Sequence, residues 1–218
     1  MSDKDSLYKK STFNRLGELN QYVPNSFKAF LNFDQQALGS GELTTKQKEL
    51  IAVAIAHITG CPYCIDLHVS NSKKEEVTLE ELSESIMVAT ALKAGSALAH
   101  GVNALNSYTD ETEVLYKQQY FGRIMEFSKL TGDSFAAFID FDQKALKDGA
   151  LSSKEKEIIA VACAHTTGCP YCIDLHTKAA KKAGASLNEL AEAVMVATAL
   201  KAGSALAHAV NLLEAYDA

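Results

Sequence analysis

Two thiols, an imidazole and a carboxylate recur at fixed spacing, as Glu-x11-Cys-Pro-Tyr-Cys-x3-His. The first set is Glu49, Cys61, Cys64 and His68; the second is Glu157, Cys169, Cys172 and His176. If a helix begins at each first cysteine, the two Cys and the His fall at i, i+3 and i+7, one narrow face at roughly 100° per residue. Residues three apart on a helix are about 5–6 Å apart, within the span of a disulfide, so each pair can alternate between dithiol and disulfide without large backbone movement. The positive end of the helix dipole beside the sulfurs favours thiolate. His68 is placed to take the Cys64 proton, and Glu49, on the preceding helix, to hold the imidazole or relay that proton. Thiol redox chemistry is therefore the first reading. Zinc binding by Cys61, Cys64 and His68, with Glu49 or a neighbouring His as fourth ligand, is the rival. A non-catalytic assembly module with vestigial thiols is the third. Glu49 taken alone reads as an exposed helix residue.

The elements that must position these groups read as helices throughout, an all-α chain. Phe27, Phe30, Leu31, Asp34 and Leu38 recur at i, i+3, i+4 spacing, and Phe135, Phe138, Ile139, Asp142 and Leu146 repeat the pattern. Thr44 with Gln47, and Ser152 with Glu155, form capping boxes that open a second helix ending near Gly60 or Gly168. Cys61-Pro62 then reads as N-cap and N1 of a third helix. Thr78 with Glu81, and Ser186 with Glu189, cap a long fourth helix, which Gly95 and Gly203 either kink or open to close approach by a neighbour.

The chain is an internal duplication, 1–108 and 109–218, joined at an acidic Thr109-Asp110-Glu111. Tyr8 aligns with Tyr116, Phe13 with Phe121 and Arg15 with Arg123. Two copies of this length make a duplicated domain rather than a solenoid, and the Ala/Gly-rich faces predict one shared core. Divergence between the copies is uneven. Glu49–His68 differs from Glu157–His176 only at Leu50/Ile158, Ile55/Cys163 and Ile58/Thr166, and MVATALKAGSALAH is identical at Met87–His100 and Met195–His208. The stretch between these blocks differs at most positions. Some constraint holds the two blocks fixed in both copies. His57, His165, His100 and His208 read as satisfied core or interface residues, Tyr63 and Tyr171 as packing over the thiols, and Lys93 and Lys201 as snorkelling from an apolar helix.

Composition narrows the classes. At 218 residues and 47% hydrophobic the chain can bury a substantial core, and its net charge of −6 without basic runs argues against nucleic-acid binding. Met1–Lys10 carries no apolar segment, and the apolar stretches read as too short to span a bilayer, so a cytoplasmic location without membrane is expected. Four of the five cysteines are in the CPYC pairs; Cys163 reads as a small core residue. No cofactor is called for.

CPYC also occurs in glutaredoxins, but there it follows a β-strand and faces a cis-Pro loop; here it follows a capped helix. The full pattern, between two helices and followed by an Ala/Gly-rich helix, resembles the alkylhydroperoxidase D-like branch of the carboxymuconolactone decarboxylase superfamily, over most of each repeat. The resemblance implies an all-helical fold, a thiol peroxidase or disulfide reductase, and a trimer when two-lobed. It implies Cys64 and Cys172 as peroxide-attacking thiolates. Cys61 and Cys169 become resolving thiols and the contact point for a thioredoxin- or lipoyl-type reductant. Glu49 with His68, and Glu157 with His176, become proton relays. This chain departs from the best-known peroxidase of that group in carrying Tyr63 and Tyr171 where it has His, and in having the motif in both lobes. The namesake decarboxylases lack the CxxC pair, which argues against decarboxylation here.

Overall fold

A computed structural model describes residues 6–109 and 113–217. Asp110 and Glu111 of the acidic junction, and Met1–Asp5, lie outside the described residues. Each repeat opens on a 3-10 stretch, Lys10–Glu18 or Gln118–Met125. The first continues with α1 (Leu19–Tyr22), α2 (Pro24–Leu38), α3 (Thr45–Thr59), α4 (Pro62–Lys74) and α5 (Leu79–Thr109). The second continues with α6 (Glu126–Thr131), α7 (Asp133–Leu146), α8 (Ser153–Thr167), α9 (Pro170–Lys182), α10 (Leu187–Ala207) and α11 (Ala209–Asp217). Among the described residues there is no strand. The expected caps are in place: Thr44–Gln47 and Ser152–Glu155 box α3 and α8, and Ser186–Glu189 boxes α10. Thr78 and Glu81 exchange the same two bonds before α5.

An α-helix that is apolar all round must be buried all round. That is the case for α3, where Leu50 to Ala56 have almost no accessible surface, and for α8, where Ile158 to Ala164 repeat it. Alanines on these helices permit close packing, and α3, α5, α8 and α10 form one central group that draws on both repeats. Cys163 is fully enclosed there, and burial pushes its thiol far up. The outer helices cross over: α2 of the first repeat lies on α10 of the second, and α7 lies on α5. On α2, Leu31 turns outward while Phe33 and Ala37 join the packed face. Helix α5 runs unbroken through Gly95; there the Phe138 ring lies where a methyl group would sit 3.5 Å away, an ordinary contact, so neither a kink nor an obligatory close approach is found.

The stretch Leu187–Asp217 is long and apolar enough, by length and composition, to cross a membrane, contrary to the reading that no stretch is. It is interrupted at His208, and 44% of its most apolar window is buried within the chain against α3 and α2. Its α10 part packs on α8, α3 and α2.

A reciprocal clamp fastens the repeats. Glu192 of α10 accepts from the backbone N–H groups of Glu42 (2.9 Å) and Leu43 (3.0 Å) and pairs with buried Lys48 at 3.0 Å. Glu84 of α5 does the same for Ala150, Leu151 and Lys156 at 3.0, 2.8 and 3.1 Å. Each lysine also donates to a carbonyl, Gly39 or Lys147, at 2.5 Å. A Cβ at Gly41 or Gly149 would collide with the clamping carboxylate, so a larger residue there would displace Glu192 or Glu84 from its clamp. Burial acts to raise both glutamates, but the backbone donors and the lysine outweigh it and hold each below the ordinary carboxylate range. Their stabilisation is complete at neutral pH and is lost as pH falls through the lowered values. Glu84→Ala should therefore cost about 2–4 kcal/mol in urea unfolding at pH 7, because it orphans two amides and a buried lysine. The cost should shrink toward zero as the titration is repeated at progressively acidic pH.

Candidate active site

The α3–α4 and α8–α9 turns are as short as a helix reversal allows. Gly60 and Gly168 end the first helix in the left-handed region, both with φ 71°. Cys61 and Cys169 then act as N-caps whose sulfurs accept the N–H of Cys64 (3.2 Å) and Cys172 (3.3 Å), with Pro at N1. Cys61 and Cys64 are joined as a disulfide across a Cα–Cα distance of 5.3 Å. In the second repeat both thiols are free, and Cys172 Sγ donates to Cys169 Sγ at 2.6 Å.

Antiparallel α3 and α4 bring Glu49 to His68, whose Nδ1 lies 2.8 Å from Oε2; His176 and Glu157 repeat this at 2.8 Å. A carboxylate only accepts, so Nδ1–H donates. Glu49 is buried, which overturns its reading as an exposed helix residue. The sites differ in one support: Asn71 donates to the other Glu49 oxygen at 3.3 Å, whereas the second repeat has Ala179 there.

Each site is completed by the other repeat. The cavity at the second site is bounded on one side by Ala91, Leu92, Gly95 and Ala99 of α5. Its other side carries Cys172, His176 and Asp142 among apolar residues that include Phe121, Phe138 and Leu175. His100 and Ser96, also on α5, act on Cys169. His100 Nδ1 bonds Tyr116 Oη at 2.9 Å, and Tyr116 and Phe121 pack on Tyr171 at centroid distances of 5.5 and 5.1 Å. Across the molecule, Tyr8 packs between Tyr63 (5.5 Å) and His208 (6.3 Å), Phe13 stacks on Tyr63 at 5.0 Å, and Thr12 Oγ1 bonds Tyr63 Oη at 3.0 Å. Ala207 and Val210 of the second repeat close over Cys61.

Tyr63 and Tyr171 thus cover the thiols as expected. His57 and His165 are satisfied by the carbonyls of Val53 and Val161, at 2.7 and 2.8 Å, and Lys93 reaches Ile58 O at 3.0 Å. His100 is more than a satisfied interface residue, because its field falls on Cys169. The signal for it was its place in the undiverged MVATALKAGSALAH block. The sequence marks Asp34 and Asp142 only as members of a helical face, and the signal that sets them apart is an acid on an apolar stripe. Burial raises both carboxyls above the usual aspartate range, with His68 or His176 opposing and Glu49 or Glu157 adding.

Electrostatics separate the two sulfurs of the free pair. The Cys172 Sγ–H bond, against burial and with the Cys172 amide, His100 and Ser96, pushes Cys169 down to about 6. Cys172 is pushed strongly up, first because it holds the shared proton, then by burial and by the negative charge of Cys169, with Asp142 adding to it only when ionised. Accessibility runs the opposite way: Cys61 and Cys169 have no exposed surface, while Cys64 and Cys172 keep 6%. Among the described residues no group of three or more His, Cys, Asp or Glu side chains is arranged to hold a metal ion.

Fold and site together define an all-helical CxxC protein with a carboxylate–imidazole pair behind each sulfur pair. The carboxymuconolactone decarboxylase family model matches twice, over residues 24–107 and 132–215, and the chain belongs to that family. "Uncharacterized protein 4 in cox locus" of Paracoccus denitrificans is 43% identical over 90 residues, which cover 41% of this chain and 81% of the relative. An uncharacterized Haemophilus influenzae protein is 46% identical over 93 residues, covering 43% and 82%. These relatives are thus about the length of one repeat. A crystal structure named for a gamma-carboxymuconolactone decarboxylase subunit of Burkholderia xenovorans superposes with TM-score 0.70 at 22% identity, over 99% of this chain and 97% of that one, and so supports the fold alone.

In a Cys61→Ser/Cys64→Ser background, thiolate absorbance should rise through a step near pH 6 from Cys169, since Cys163 stays protonated there. His100→Gln should move that step to higher pH; an unchanged step would remove His100 from the site.

Proposed function

We propose that the chain is a thiol peroxidase and disulfide oxidoreductase that reduces hydroperoxides at two CxxC sites. The observation that carries the reading is Cys172 on the wall of an apolar cavity, beside His176 whose Nδ1 is tied to Glu157. The cavity wall includes no lysine or arginine, which disfavours an anionic carboxylated lactone and with it the decarboxylase alternative.

In the resting dithiol one proton is shared between the sulfurs and rests on Cys172. Transfer to Nε2 of His176, or across to Cys169, frees the Cys172 thiolate. It attacks the terminal peroxide oxygen, the O–O bond breaks, and Cys172 becomes a sulfenic acid while an alcohol leaves. Cys169 Sγ then displaces hydroxide, which takes a proton from solvent to leave as water, and the disulfide forms, the reversible rung of cysteine oxidation. The substrate has gained two electrons and the sulfur pair has lost two. A thioredoxin- or lipoyl-type dithiol restores the pair by attack at the accessible sulfur, Cys64 or Cys172. The N-cap sulfur, Cys61 or Cys169, departs as the more stable thiolate, and low leaving-group pKa speeds exchange. Cys61, Cys64, His68 and Glu49 take the same parts at the first site.

Peroxide consumption coupled to candidate reductants tests the reading. Cys64→Ser or Cys172→Ser alone should leave about half the rate if the sites act independently, and the double substitution should leave only the uncatalysed background. Normal turnover by the double variant would end the proposal. Glu49→Gln with Glu157→Gln should lower the rate about 10- to 100-fold, as expected when a general base loses its orienting group.

A further inference from the structure

Peroxide cleavage makes two demands on protons, and the cysteine–histidine–glutamate set answers only one of them. A base must take the thiol proton; an acid must also meet the departing oxygen, because an alkoxide is a poor leaving group in an apolar cavity. Asp142 projects from α7 onto the same cavity wall as Cys172 and His176. Its electrostatic neighbours are His176 and Glu157, and its carboxyl takes part in no hydrogen bond among the described residues. Burial raises its carboxyl above the usual aspartate range, which eases its protonation. Asp34 has the corresponding electrostatic neighbours, His68 and Glu49, in the first repeat. A structural carboxylate would be expected to hold a partner, as Glu84 and Glu192 do; Asp142 faces the cavity instead.

We infer that Asp142, and Asp34 in the first repeat, is a catalytic acid that hands its proton to the oxygen leaving from the peroxide. The inference rests on the peroxidase reading above. As the Cys172 thiolate forms its S–O bond with the terminal oxygen, the O–O bond breaks, and the departing alkoxide takes the Asp142 proton to leave as an alcohol. The sulfur keeps the hydroxyl as sulfenic acid. The aspartate is reprotonated from the adjacent His176, which holds the proton taken from Cys172. Summed over the step, thiol and hydroperoxide give sulfenic acid and alcohol, with no external proton.

The test uses single-turnover oxidation of the reduced Cys61→Ser/Cys64→Ser protein, in which only the second site reacts, with and without Asp142→Asn. Two oxidants are compared: tert-butyl hydroperoxide, which must release an alkoxide, and peracetic acid, whose carboxylate leaves without needing a proton. Asp142→Asn should slow the alkyl hydroperoxide about 100-fold, the scale of general-acid catalysis, and peracetic acid by less than about threefold. Equal slowing of both oxidants, or of neither, overturns the acid assignment and leaves the peroxidase reading standing. Failure of the parent protein to react with either oxidant overturns the peroxidase reading itself. Asp34→Asn in a Cys169→Ser/Cys172→Ser background provides the same comparison should Asp142→Asn not fold, with circular dichroism reporting helix content.

Discussion

Between α3 and α4 the chain has two residues, Gly60 and Cys61, in which to reverse direction, and the same is true of Gly168 and Cys169. A left-handed glycine is the means, since a side chain at φ 71° would be strained. The next residue must cap the new helix. In this position a cysteine sulfur takes on the role that serine or aspartate oxygen usually fills, and its capping bond to an amide favours the anion. The tight reversal also lays α4 back along α3 so that residues 19 apart in sequence, Glu49 and His68, meet at 2.8 Å. Acid sulfur, second sulfur and imidazole–carboxylate pair are thus consequences of one turn.

The turn alone would leave those sulfurs open to water. The second constraint is the crossing of the repeats, which puts the long helix of one over the sulfurs of the other. His100 and Ser96 come to Cys169 from α5, while Ala207 and Val210 enclose Cys61. Glu84 and Glu192 hold that crossing in register, because each ties a loop of one repeat to a long helix of the other. Neither half has a complete site by itself. This explains why MVATALKAGSALAH and the CPYC block are both fixed across the duplication: each faces the other repeat's copy of its partner.

In the second repeat acidity and accessibility fall on different sulfurs. In the proposed reaction the enclosed N-cap sulfur stores negative charge, and the outer one meets the hydroperoxide and carries the proton that must be removed. Under that proposal a pair sharing one proton supplies both a resolving thiolate and a nucleophile activated by a short proton transfer.

The helices, their caps, the Gly–Cys–Pro turn and the Glu–His pairing could be read from the sequence, because all depend on neighbours within one hairpin and on 3.6-residue periodicity. The duplication was visible for the same reason, as were the candidate sulfurs. What tertiary structure decided is everything that crosses between repeats. Glu49 passes as a surface residue until α3 is seen buried on every side. Lys48 and Lys156 look like ordinary charged positions until Glu192 and Glu84 arrive from the opposite half. Asp142 and His100 acquire their surroundings only when α7 and α5 pack together over the α9 sulfurs. Local sequence records the geometry of a helix and its ends, but the dielectric and electric field at a side chain come from segments distant in the chain, and those set the charge on each thiol and carboxyl here.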